Sequence, residues 1–109
     1  MENQAIVVLV TAPSKEIARQ IAKALLEQKL AACVNILGPI NSLYVWEGKL
    51  CDDEESLLVI KTQAGLFHER LVPAIQAIHP YQVPEIIALP IEMGLQSYLD
   101  WIAAQTAPA

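Results

Sequence analysis

Three side chains able to do chemistry fall within the run His79-Pro80-Tyr81-Gln82-Val83-Pro84-Glu85. Prolines at 80 and 84 hold such a run extended, and alternation then turns His79, Tyr81, Val83 and Glu85 to one side. An imidazole, a phenol and a carboxylate gathered in this way can bind a metal ion or relay a proton. The same spacing also suits packing, with His79 at a helix C-terminus, where a cation is favoured, and the Tyr81 ring laid on a sheet. Spacing alone puts the packing reading ahead, because the trio is not a specific metal motif.

Residues 47–55 (EGKLCDDEE) hold five carboxylates and one lysine, most of the net charge of −5. Such a run is solvated or binds cations, and as a strand edge it discourages aggregation. Cys33 is either a soft metal ligand or a small buried hydrophobe, and its Ala-Ala-Cys-Val setting favours the core. Cys51, next to the acidic run, is the more exposed thiol, and His68 has no chemical partner in sequence. The two cysteines lack a CxxC spacing, so free thiols are expected. No Ser-His-Asp or Cys-His arrangement, glycine-rich phosphate loop or paired metal spacing announces an enzyme.

The elements that must position these groups follow from periodicity. Residues 5–11 form an apolar Val/Ile run that suits a strand buried on both faces. Ser14 offers a helix cap, and Ile17, Ala18, Ile21, Ala22, Leu25 and Leu26 recur at helical spacing. A strand over 32–37 is interrupted by Gly38-Pro39 and resumes over 40–46, and Glu47-Gly48 makes a two-residue hairpin turn into a strand over 49–62. That turn sets Trp46 opposite Lys49, Tyr44 opposite Cys51 and Ile40 opposite Glu55. Beyond Gly38 the register is open, with Lys61 facing either Val34 or Cys33. Glu55 and Lys61 share a face but stand about 20 Å apart at strand rise, so only a neighbouring subunit brings both to one small ligand.

A second helix over 66–78 is kinked by Pro73 and ends before Pro80. A strand over 83–91, with prolines near both ends, takes an edge position. A short helix over 95–102 and a fraying tail over 103–109 complete the chain. The order β-α-β-β-α-β plus a terminal helix is an α+β, split-βαβ arrangement with two helices on one face of an antiparallel sheet and the other face bare.

At 109 residues the chain is one domain, spanning 1–109. With 54% of residues apolar, so small a domain cannot hide all its apolar surface, and a homo-oligomer is expected. The acidic balance gives no footprint for nucleic acid or an anionic membrane. The start lacks a basic n-region, and the longest uncharged stretch, 30–46, is broken by Asn, Gly, Pro and Ser. A cytoplasmic protein without a membrane segment is expected.

The motifs Leu30-Ala31-Ala32-Cys33-Val34-Asn35, Tyr44-x-Trp46-Glu47-Gly48-Lys49, Ile60-Lys61-Thr62 preceded by Glu55, His79-Pro80-Tyr81-x-x-Pro84-Glu85-Ile86-Ile87 and Tyr98-Leu99-x-Trp101 occur in one order across nearly the whole chain. Together they resemble the CutA family of divalent-cation tolerance proteins. The resemblance implies a ferredoxin-like subunit with an extra C-terminal helix, a tight homotrimer similar in architecture to PII signalling proteins, and a cytoplasmic bacterial or plastid setting. It implies tolerance to copper and other divalent cations without a settled enzymatic reaction. Cys33, Trp46, Glu55, Lys61, His79, Tyr81 and Glu85 match the motif positions and become candidates for a site between subunits, whereas Cys51 lies outside the pattern.

The leading expectation is non-catalytic binding of a divalent cation, Cu(II) first, with His79 as nitrogen ligand and Cys33 or Glu85 completing the site. No cofactor is obligatory. The alternative is a signalling module that binds a small anionic metabolite, with Lys61 as counter-charge beside Glu55 and with Trp46 or Tyr81 stacking.

Overall fold

The computed structural model describes residues 4–108; the opening residues 1–3 and the last residue of the expected tail lie outside it. Its elements are β1 (Ala5–Ala12), α1 (Lys15–Glu27), β2 (Cys33–Trp46), β3 (Lys49–Gln63), α2 (Val72–Gln76), β4 (Ile86–Pro90) and α3 (Gln96–Gln105). One antiparallel sheet has the order β2-β3-β1-β4, which is the expected α+β, split-βαβ topology.

In β1 the side chains Ile6, Val8, Val10 and Ala12 are buried, while Val7 and Leu9 between them are half-buried. The apolar run thus belongs to a strand covered on one face only, not on both as expected. Ile6, Val8 and Val10 meet Ala18, Ile21 and Leu25 of α1, Leu58 and Ile60 of β3, and Leu71 and Ile75, forming one core between the sheet and the helices. Ser14 starts α1 as expected, in an extended conformation, with its Oγ accepting from the Ile17 N–H at 3.1 Å.

The hairpin register follows the turn. Glu47 (φ 51°) and Gly48 (φ 78°) are both left-handed, which matches the right-handed twist of the flanking strands. Trp46 faces Lys49, Tyr44 faces Cys51 and Ile40 faces Glu55, as the turn requires. A shift between Leu37 and Ile40 then sets Cys33 opposite Lys61, resolving the open register in favour of the bulge. Because β1 ends at the Ala12–Ser56 pair, the hairpin from Ile40–Glu55 to Trp46–Lys49 has no third strand beside it among the described residues.

Three elements depart from expectation. The second helix is not one kinked rod: a 3-10 turn (Ala64–Leu66) and a π-helical turn (Phe67–Leu71) precede α2, so Pro73 lies in the first turn of α2, where its missing N–H costs little. The last strand begins at Ile86 rather than at Val83, and pairs only with β1, at the expected edge. The tail does not fray from Ala103: α3 runs to Gln105, and Thr106 is buried, its Oγ1 accepting from Gln63 Nε2 at 2.6 Å. Since Gln63 points away from the core that holds Thr62, α3 covers one end of the second sheet face and buries Ile102 there. Elsewhere on that face Leu37, Ile87 and Leu89 remain about half exposed. Among the described residues no helix is long and apolar enough to cross a membrane.

Candidate functional site

Glu55 stands where the sheet stops and the overhanging hairpin begins, one residue beyond the Ala12–Ser56 pair. It is only 6% exposed, and its Oε2 accepts from the Tyr81 hydroxyl at 2.9 Å. Tyr81 is itself held from behind. Its N–H donates to His79 Nδ1 at 3.2 Å, and His79 Nε2 donates to the Thr11 carbonyl at 2.7 Å. The imidazole therefore carries its proton on Nε2, and its ring lies 4.8 Å from the Tyr81 ring. A relay of Thr11, His79, Tyr81 and Glu55 thus ties the end of β1 and the exit of α2 to β3. The sequence fits this locally, because the His79 N–H still completes the last helical turn to Ile75 O at 2.9 Å while Pro80 ends it.

A second phenol–carboxylate pair lies farther along the hairpin, where the Tyr44 hydroxyl donates to Asp53 Oδ2. Alternation places Asp53 on the same face as Glu55, and Tyr44 on the face of Trp46. Burial first, then the bond to Glu55 and the charges of Glu55 and Asp53, pushes the Tyr81 phenol up to about 12. The bond to Asp53 is the main cause that raises Tyr44 well above the ordinary phenol value.

Between the hairpin and the segment after α2 lies a cleft of about 740 Å³, lined by Tyr44, Trp46, Glu55, Tyr81, Val83 and Glu85 among others. Among the described residues no lysine, arginine or histidine lines it. Electrostatically it is a place for a cation or for a neutral aromatic-loving group, not for an anion.

Four of the seven candidate residues, Trp46, Glu55, Tyr81 and Glu85, meet in this cleft. His79 supports it from behind, with both ring nitrogens engaged inside the chain. Cys33 and Lys61 face each other at the other end of the sheet, where Lys61 Nζ donates to Asn35 Oδ1 and Cys33 Sγ lies 4.0 Å from the same oxygen. The set Cys33, His79 and Glu85 is therefore not assembled within one chain, and among the described residues no three His, Cys, Asp or Glu side chains gather to hold a metal ion. Sequence reasoning gave no site role to Tyr44 and counted Asp53 only within the acidic run 47–55, which is solvated or binds cations. Their strand parity with Trp46 and Glu55 was the available signal.

Comparison with known proteins agrees with the topology. The profile of the CutA1 divalent ion tolerance protein family matches residues 6–105. The chain is 52% identical over 100 residues to a divalent-cation tolerance protein CutA of Thermus thermophilus, covering 92% of this chain and 96% of that protein. It is 48% identical over 101 residues to a protein named CutA, chloroplastic, of Arabidopsis thaliana, covering 93% of this chain and 55% of the plant protein, so it spans about half of that relative's length. The solved structure of the periplasmic divalent cation tolerance protein CutA from Archaeoglobus fulgidus superimposes with a TM-score of 0.90 at 46% identity, covering 94% of this chain and 99% of that one. With its family profile, its relatives and its sheet topology in agreement, the chain belongs to the CutA1 divalent ion tolerance family.

Proposed function

We propose that the chain assembles as a homotrimer and binds divalent cations without catalysis, in clefts that neighbouring subunits complete. The observation that carries this reading is the position of Glu55. It is almost fully buried, has a partner on only one oxygen among the described residues, and lies at the root of a hairpin that overhangs an apolar sheet face. A neighbouring chain that covers Leu37, Ile87 and Leu89 brings its own edge toward this carboxylate. The proteins that this chain resembles are named for divalent-cation tolerance.

The oxygen donors Glu55 and Glu85 suit hard divalent ions, whereas Cu(II) prefers a nitrogen ligand. Copper binding through His79 requires the imidazole to release Thr11 or Tyr81, and Cys33 joins such a site only from another subunit. Binding of an anionic metabolite likewise needs Lys61 from elsewhere, since among the described residues no basic group lines the cleft. We assign the protein to the cytoplasm, where Cys33 and Cys51 persist as free thiols.

Native mass spectrometry tests the reading in one experiment. The expected species has three times the mass of the 12.0 kDa chain and takes up Mn(II) or Cu(II) in proportion to its subunits. A monomer, or a trimer that takes up no divalent ion, contradicts it.

A further inference from the structure

The cleft beside Glu55 is built for something larger than a metal ion. Divalent ions sit about 2.0–2.6 Å from their oxygen ligands and need only a small cage. This cleft holds about 740 Å³ and is walled by the rings of Tyr44, Trp46 and Tyr81. Tyr44 and Trp46 project from the same face of β2, about 7 Å apart at strand rise, so one cation can lie within reach of both rings. Both phenol hydroxyls are turned onto carboxylates, which fixes the rings; His79 packs against the Tyr81 ring, while Tyr44 and Trp46 remain partly exposed. Among the described residues the only charged side chains in the wall, Glu55 and Glu85, are negative. Glu55 is 6% exposed, and its second oxygen is without a partner among the described residues, yet no fully enclosed side-chain oxygen there lacks one, so that oxygen opens onto the cleft.

We propose that this cleft binds an organic ammonium ion, its charged head against Glu55 and the rings of Tyr44, Trp46 and Tyr81, and its aliphatic chain along Val83. An alkylammonium sheds water more readily than a divalent metal ion and gains from the aromatic faces as well as from the carboxylate. Val83, 64% exposed in the cleft wall, gives the aliphatic part an apolar surface. The proposal draws its contacts from the cleft of one chain and does not rest on metal binding.

Spermidine titrated into the full chain tests it, by calorimetry and by Trp46 fluorescence in a Trp101→Phe background. Saturable binding is expected, weakened about tenfold by Glu55→Gln and about threefold by Trp46→Leu. Mg²⁺ at matched ionic strength is expected not to reproduce the fluorescence change. Thermal melting of each variant confirms folding, and Trp46, 44% exposed and outside the core, carries the test if Glu55→Gln does not fold. Absence of saturation at millimolar spermidine, equal affinity in the variants that fold, or an equal response to Mg²⁺ overturns the proposal. Absence of saturation together with a trimer mass identifies a neighbouring chain as the occupant of the cleft.

Discussion

Tyr81 and Glu55 are 26 residues apart in sequence, and the hydroxyl of one donates to the buried carboxylate of the other at 2.9 Å. This bond joins the segment after α2 to the root of the hairpin. It gives Glu55 its one side-chain donor among the described residues and fixes one wall of the cleft.

Tyr81→Phe keeps the ring and removes that donor. The carboxylate then stays largely buried without its partner, and a loss of about 1–3 kcal/mol in unfolding free energy is expected. Denaturant melts of the variant check this, and an unchanged midpoint contradicts the role given to the bond.

Alkaline titration reads the same bond through the phenol. The Tyr81 value lies near 12 in the folded chain against the ordinary 10.0, so it is raised on folding. The stability linked to it is fully present below pH 10 and is lost as pH rises from there through about 12. Tyr44 is raised by its bond to Asp53, and Tyr98 chiefly by burial and then by Cys33. Phenolate absorbance is therefore expected to rise well above pH 10, together with loss of structure. Ordinary titration of all three tyrosines at 10 contradicts the two phenol–carboxylate pairs.

The hairpin turn offers a test free of packing effects. A Cβ at Gly48 meets nothing within 4 Å, so Gly48→Ala pays only for the left-handed backbone at φ 78°. A cost of about 1 kcal/mol is expected in denaturant melts. Glu47→Asn, which suits φ 51° better than glutamate, is expected to gain about 0.5 kcal/mol.

Assembly through the open sheet face is checked by Leu89→Glu. Leu89 is 52% exposed in the single chain, so the monomer tolerates the change, and light scattering is expected to find the variant at monomer mass. A trimer that persists in the variant places the contact elsewhere.

The core elements were legible in the sequence because each carried its own stop signals. Ser14 marked the start of α1, and Glu47-Gly48 fixed the hairpin pairs from Trp46–Lys49 to Ile40–Glu55. The register past Gly38 was not legible, since a bulge moves the pairing by one residue without changing the composition. The break-up of the second helix into 3-10, π and α turns was hidden because its apolar spacing survives a wide turn. Val83 read as strand on composition alone, yet β1 offers its Val10 partner only from Ile86 onward. At the site, Tyr81 and Glu55 were each visible as residues, but their meeting depends on the path of the chain after Pro80, which no local pattern encodes. His79 drew attention as a ligand, and the packing reading anticipated only its place at the helix exit, not its bonds to Thr11 and Tyr81.

Calorimetric titration of Mn(II) into the wild-type chain and into Glu55→Gln tests the proposed function most directly, with folding of the variant confirmed by its melt. If Glu55 is the central oxygen donor, the amide weakens binding at least about tenfold, or about 1.4 kcal/mol. Equal affinity in the two proteins contradicts the account and moves the cation away from the cleft.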